Sequence, residues 1–149
     1  MTHMRKQIRD AFAAALTNAL PSTYDVFSSR KFARNIITGR ALVDMRFLND
    51  QTQAIETMSD DRVHVGSLYI RVQRPETGAD IDDALDADEV AIVSAIESRD
   101  WSDLLEQDPE LLQVNFSDDA SGGQVIGTIV IRYDCEYRIN KSDPETRID

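Results

Sequence analysis

The chain has 149 residues, 42% of them apolar, which is enough for one domain with its own core, and nothing in it marks a second. It carries 16 Lys and Arg against 27 Asp and Glu, a formal net charge of −11, which argues against an indiscriminate phosphate binder. A single cysteine, Cys135, excludes an internal disulfide framework.

Residues 3–20 read as an amphipathic helix. Met4, Ile8, Phe12, Ala15, Leu16 and Ala19 recur at three- and four-residue spacing, Pro21 follows the end, and Arg5, Lys6, Arg9 and Asp10 take the other face. Its apolar run "AFAAAL" is shorter than the roughly 7 to 15 residues of a signal peptide and far short of a membrane span. The expectation is a soluble protein made in the cytoplasm. "TYDVFSS" (23–29) is a short strand candidate, and "RKFARNIITGR" (30–40) a basic, irregular stretch turning at Gly39. "ALVDMRFL" (41–48) alternates Val43, Met45 and Phe47 against Leu42, Asp44, Arg46 and Leu48, as a strand does.

Residues 49–62 are polar and lack sustained periodicity, so they read as a loop longer than a hairpin needs. Strand alternation resumes over 63–75, with Leu68, Ile70 and Val72 on one face and Pro75 at the end. A second helix is predicted at about 80–98 on the stripe Ile81, Ala84, Leu85, Ile92, Ala95 and Ile96, into which Asp88 falls without a sequence-level reason. Residues 99–112 suggest a turn, a short helix and another turn, anchored by Trp101, Leu104 and Leu105. "LLQVNFS" (111–117) alternates Leu112, Val114 and Phe116, and the turn residues 118–123 make a hairpin with the final strand.

That final strand, "QVIGTIVIRYDCEYRIN" (124–140), puts Val125, Ile129, Ile131, Tyr133, Cys135 and Tyr137 on one face. The other begins apolar at Ile126 and Val130 and then turns charged. A strand of about 14 residues spans roughly 45 Å, so either it reaches past its own sheet or Gly127 bulges it. Two single-stripe helices each need a sheet face. The predicted fold is α+β: a mixed or antiparallel sheet of four to five strands with two main helices on one face, in a single domain over 1–149 that ends in a short disordered tail at 141–149.

Charge is unevenly distributed, because residues 1–46 hold eight Lys and Arg against three acids and residues 47–149 hold eight against 24. Opposite-sign patches suit head-to-tail contact between copies, and equally the pairing of basic and acidic segments within one monomer. The acids Asp80, Asp82, Asp83, Asp86, Asp88 and Glu89 fan around one helix start, where the helix dipole favours them, and form no EF-hand pattern. His3 and His64 with one cysteine cannot build a His/Cys zinc site, His64 reads as a rim residue, and Cys135 as a buried small hydrophobe. Neither a nucleophile elbow nor a phosphate-binding glycine loop occurs, so neither catalysis nor a cofactor or metal is expected. The basic residues Arg30, Lys31, Arg34 and Arg40 sit in acidic surroundings, and protein contact suits them better than nucleic acid.

The order "MRKQIRDAFAAAL", "ALVDMRFL", a polar loop, "LYIRVQRP", "ADIDDALDADEVAIVSAIES", "LLQVNFS", a Gly-containing turn and "VIGTIVIRYDCEYR" resembles the tail terminator proteins of long-tailed bacteriophages, the minor tail protein U or tail completion family. The resemblance implies a structural virion protein of the tail–neck region. It would form a ring, commonly a homohexamer, that caps the tail tube, ends its polymerisation and offers a surface for head attachment. Its partners would be further copies of itself, the major tail tube protein and a head-completion or connector protein, with DNA passing through the lumen unbound and no membrane involved.

On this reading Arg30, Lys31, Arg34 and Arg40 pair across a subunit interface with an acidic face carrying Asp82, Asp83 and Asp86. The loop 49–62, with Ile55, Glu56, Met58, Asp60 and Asp61, either contacts the tube and orders on assembly or is a mobile loop without a partner. The rival readings are another neck protein of the head-closure or connector kind, and a divalent-metal-dependent enzyme using the acids at 80–89.

Overall fold

The computed structural model describes residues 3–29, 40–54, 61–76, 81–121, 124–140 and 143–147. Helix α1 runs Met4–Ala19, with Met4, Ile8, Phe12 and Leu16 buried along one line, as the three- and four-residue spacing requires. His3 caps it: the ring Nδ1 accepts the Arg5 backbone N–H at 3.0 Å. At the other end Leu20 turns extended ahead of Pro21, whose ring cannot continue the helix.

Six strands follow among the described residues: β1 (Tyr24–Val26), β2 (Ala41–Ala54), β3 (Asp61–Glu76), β4 (Glu110–Ser121), β5 (Gln124–Asn140) and β6 (Asp143–Arg147), with α2 (Ile81–Glu97) between β3 and β4. The sheet order is β1-β2-β3-β5-β4, with β6 folded back on the end of β5. Only β1 and β2 pair in parallel; the others are antiparallel, so the sheet is mixed. The fold is the expected α+β arrangement, with one more short strand than anticipated.

Both helices lie on the same side. Phe12 of α1 packs edge-on against Tyr133 at 5.9 Å and lies tilted against Trp101 at 4.4 Å, while Ile81 and Leu85 of α2 sit over Gly127. The face they cover is the odd-numbered one of β5, whose Ile129, Ile131, Tyr133, Cys135 and Tyr137 are fully buried with Val43, Leu68, Ile70 and Val72. Each such aliphatic side chain contributes about 1.5–3 kcal/mol by leaving water. The opposite face carries polar pairs instead. Arg71 Nε donates to Asp44 at 3.0 Å, and Ser67 donates to Asp134 at 2.9 Å.

Four expectations are corrected. Residues 49–54 and 61–62 are not loop: they extend β2 and β3, paired from Asn49↔Ser67 to Ala54↔Arg62, so the connection shrinks to 55–60. Polar sequence holds the strand there because pairing with β3 sets the register, and because Asp50 is tied to the sheet by His64 and Tyr137. Residues 143–147, expected as tail, form β6 against β5.

Nor does β5 bulge at Gly127 or overshoot its sheet, since it pairs with β3 without a register shift from Val125 to Asn140. Glycine is needed because a Cβ there would lie 2.6 Å from Cδ1 and 2.7 Å from Cγ1 of Ile81. The bulges fall instead between Phe47 and Asn49 and between Leu111 and Gln113. Finally, residues 101–105 make one turn, closed by the Leu105 N–H on the Trp101 carbonyl at 2.8 Å, where a short helix was expected.

Candidate subunit interface

Asp88 is the buried acid that the α2 stripe left unexplained. Its carboxylate receives the Arg74 guanidinium in a two-point contact, Nε at 2.8 Å and the terminal nitrogen at 2.7 Å, and it accepts the Tyr24 hydroxyl as well. One carboxylate thus joins α2, β3 and β1. Burial first, and then the hydrogen bond to Asp88, push the Tyr24 hydroxyl up to about 12. A second lock ties β2, β3, β5 and α1. Asp50 contacts His64 Nδ1 at 2.9 Å, accepts the Tyr137 hydroxyl, and lies 3.8 Å from Arg5. His64 stacks on Tyr137 at 5.1 Å and keeps only 14% of its side chain exposed, so it is an inner residue rather than the rim residue expected. Burial raises the Cys135 thiol well above its ordinary range, which keeps it protonated and inert.

The two sides of the sheet differ in charge. On the β2 side, the start of α1 brings Arg5, Lys6 and Arg9 together with Arg46 and Phe47 around one cleft, while Leu48 at the bulge, 51% exposed, lines a different cleft with Asp44, Arg46, Tyr69, Arg71 and Val130. From Asp44 onward the outer edge of β2 has no strand partner among the described residues, because β1 covers only Ala41–Val43.

On the other side, the helical repeat of α2 sorts its flanks. Ala95 meets Ala14, Ala15 and Asn18 of α1 around a shared cleft, and Asp82, Asp83, Asp86 and Glu97 are exposed on the part of the helix turned from that cleft. Burial first, and then the charges of Glu97 and Glu89, raise the hydroxyl of Tyr133 on β5 above its ordinary range. β4 ends the sheet on this side, with Glu110 and Asp118 exposed.

Among the site residues named from sequence, Arg30, Lys31, Arg34, Ile55, Glu56, Met58 and Asp60 lie outside the described residues. Asp61 opens β3 opposite Asn140. Arg40 is spent within its own chain. It donates from Nε to Asp25 at 3.0 Å and from a terminal nitrogen to the Ser22 carbonyl at 2.9 Å, and the Asp25 contact holds that carboxyl below its ordinary value. Asp82, Asp83 and Asp86 are exposed on α2. No three His, Cys, Asp or Glu side chains converge as a metal site among the described residues, and no described helix is long and apolar enough to cross a membrane.

Sequence reasoning missed the exposed apolar residues. Phe116 and Leu112 alternate as core residues would, yet Phe116 is 51% exposed, Leu112 is exposed at the β4 bulge, and Val90 on α2 is 67% exposed. Periodicity marks a face, and only strand order shows that the face hangs beyond the helices.

No protein-family model matches the sequence, and no curated protein matches it. Among solved structures, a chain in the virion of a native gene transfer agent particle is similar at 15% identity with a TM-score of 0.33, covering 90% of this chain and 92% of that one. At that score the likeness is too loose to assign a fold or a role.

Proposed function

We propose that this chain is a structural virion protein of the tail-terminator kind, a ring-forming subunit that caps a tail tube, stops its polymerisation and presents a surface for head attachment. The observation that carries the reading is the separation of charge in the described residues, with Arg5, Lys6 and Arg9 of α1 and Arg46 of β2 around one cleft and exposed acids on α2 and β4. Such a subunit joins unlike surfaces head to tail, and a heterologous contact of that type closes into a ring when the rotation allows. The order of elements, which resembles tail terminators from α1 through β5, supports the same reading. An excess of acids would let DNA pass through a lumen without adhering to it. The residues do structural work in this scheme and catalyse no reaction: Asp88 is held by Arg74 and Tyr24, and Asp82, Asp83 and Asp86 stand apart on an exposed helix surface.

The test is co-sedimentation of the purified chain with isolated tail tubes and, in parallel, with portal-side complexes. A terminator binds the tube end and blocks further addition of tube subunits. Binding to the portal side alone would replace this reading with that of a head-closure or connector protein, and binding to neither would remove the virion role.

A further inference from the structure

The start of α1 and the middle of β2 build a cleft of about 350 Å³, lined by His3, Arg5, Lys6, Arg9, Arg46 and Phe47. Four of these side chains are cations and none is an acid, in a chain whose formal net charge is −11. Nearby acids neutralise the cluster only in part. Asp10 holds Lys6 at 2.8 Å, while Asp50 lies 3.8 Å from Arg5 and already serves His64 and Tyr137 with its oxygens. Arg46 makes neither an ion pair nor a hydrogen bond among the described residues, and Arg9 has its Nε buried there without a partner. Burial first, and then the charge of Arg5, hold the His3 ring below its ordinary value, the direction that positive charge left without compensation produces. The first turn of α1 carries no acid, so the positive end of the helix adds to the same field.

We infer that this cleft binds a phosphate-bearing anion, with Arg9 and Arg46 as its main donors, Arg5 and Lys6 at its rim and Phe47 as an apolar wall. Guanidinium groups converging from two elements suit an anion that offers several oxygens and more than one charge, as a phosphate does and a lone carboxylate does not. The space is that of a small-ligand pocket, roughly 300 Å³ or more. Its wall is held in place: a Cβ at Gly66 would lie 2.7 Å from Cε1 of Phe47, so the glycine lets that ring close on β3. The acids that dominate the rest of the chain repel such an anion and confine it to the cleft. The phosphate can come from a free nucleotide or from a nucleic-acid strand, and the two are separated by experiment. The inference does not rest on the terminator reading, and its failure leaves tube binding untouched.

The test is titration of the full chain at low salt with pyrophosphate and with a nucleoside triphosphate by calorimetry, and with a labelled single-stranded oligonucleotide by fluorescence anisotropy. Pyrophosphate is expected to saturate at one anion per chain and to bind more weakly as salt rises. Arg9→Gln and Arg46→Gln should each weaken it by about tenfold or more, the loss of one charge-assisted hydrogen bond. Arg99→Gln is the control, since Arg99 lines a cleft with Ala14, Ala15, Asn18 and Ala19 at the other end of α1, and it should bind as the wild type does. Circular dichroism and melting temperature check folding. If Arg9→Gln does not fold, Arg46→Gln decides alone, because Arg46 leaves no partner behind.

Binding of the triphosphate but not of the oligonucleotide assigns the cleft to a free nucleotide. Binding of the oligonucleotide that pyrophosphate displaces assigns it to a phosphodiester strand. No saturable binding of any of the three overturns the inference, as does wild-type affinity in Arg46→Gln. Equal weakening in Arg99→Gln also overturns it, because overall charge rather than this cleft would then set the affinity.

Discussion

Asp88 shows what a single side chain does in this core. A carboxylate only 1% exposed is tolerated in the stripe of α2 because Arg74 and Tyr24 supply donors to both of its oxygens. Removing it leaves Arg74, itself 15% exposed at the side chain, without that carboxylate. Asp88→Ala is expected to cost about 3 kcal/mol, read as a lower urea midpoint at unchanged slope. A cost under about 1 kcal/mol would mean that Arg74 escapes to water.

Tyr24 gives the same cluster a pH dependence. Its hydroxyl ionises from 10.0 in the open chain and at about 12 in the fold, so between those values the folded state holds the proton that the unfolded state has released. Stability is therefore fully present below pH 10.0 and falls as pH rises toward 12. Tyr24→Phe should reduce this alkaline slope in denaturation measured across that range. It should not abolish the slope, because burial raises Tyr133 and Tyr137 as well.

At the scale of elements, the docking of α2 on β5 depends on a missing side chain. Ile81 fills the space above Gly127, and Leu85 comes within 3.0 Å of where a Cβ would sit. Gly127→Ala therefore lifts the first turn of α2 or displaces Ile81, with an expected loss of about 1–3 kcal/mol. The double substitution Gly127→Ala with Ile81→Ala should cost less than the sum of the two single changes, since the second removes the clash the first creates. Additive losses would show that Gly127 matters through its backbone rather than through this approach. The extension of β2 and β3 is governed differently. Asn49, Gln51 and Thr52 bury little, and the hairpin end is held by ladder pairing and by the Asp50 contacts to His64, Tyr137 and Arg5.

For the whole molecule the organising quantity is the uneven charge, +5 over residues 1–46 and −16 over 47–149. Among the described residues, Arg5, Lys6, Arg9 and Arg46 gather where α1 meets β2, and exposed acids stand on α2 and on β4, the strand at the other end of the sheet order. Raising salt from about 0.1 to about 1 M shortens the Debye length from about 10 to about 3 Å. Self-association through these surfaces should then weaken at least tenfold in sedimentation equilibrium. Association that strengthens with salt would show that apolar contact, not charge, selects the partner.

Much of the fold was legible from local spacing. The three- and four-residue repeat of Met4, Ile8, Phe12 and Leu16, the alternation from Ile129 to Tyr137, and the acid-led stripe of α2 each specify an element and its buried face, because they are written within a few residues of one another. The segregation of charge along the chain was equally plain. What the sequence did not disclose depends on residues that meet only after folding. Tyr24 and Asp88 are 64 positions apart, Tyr137 and Asp50 are 87 apart, and Gly127 answers to Ile81 on another element. The exposure of Phe116 follows from the place of β4 at the end of the strand order, which no periodicity encodes. Local pattern determined which face of each element is apolar. Tertiary pairing alone decided which of those faces the molecule covers itself and which it leaves exposed.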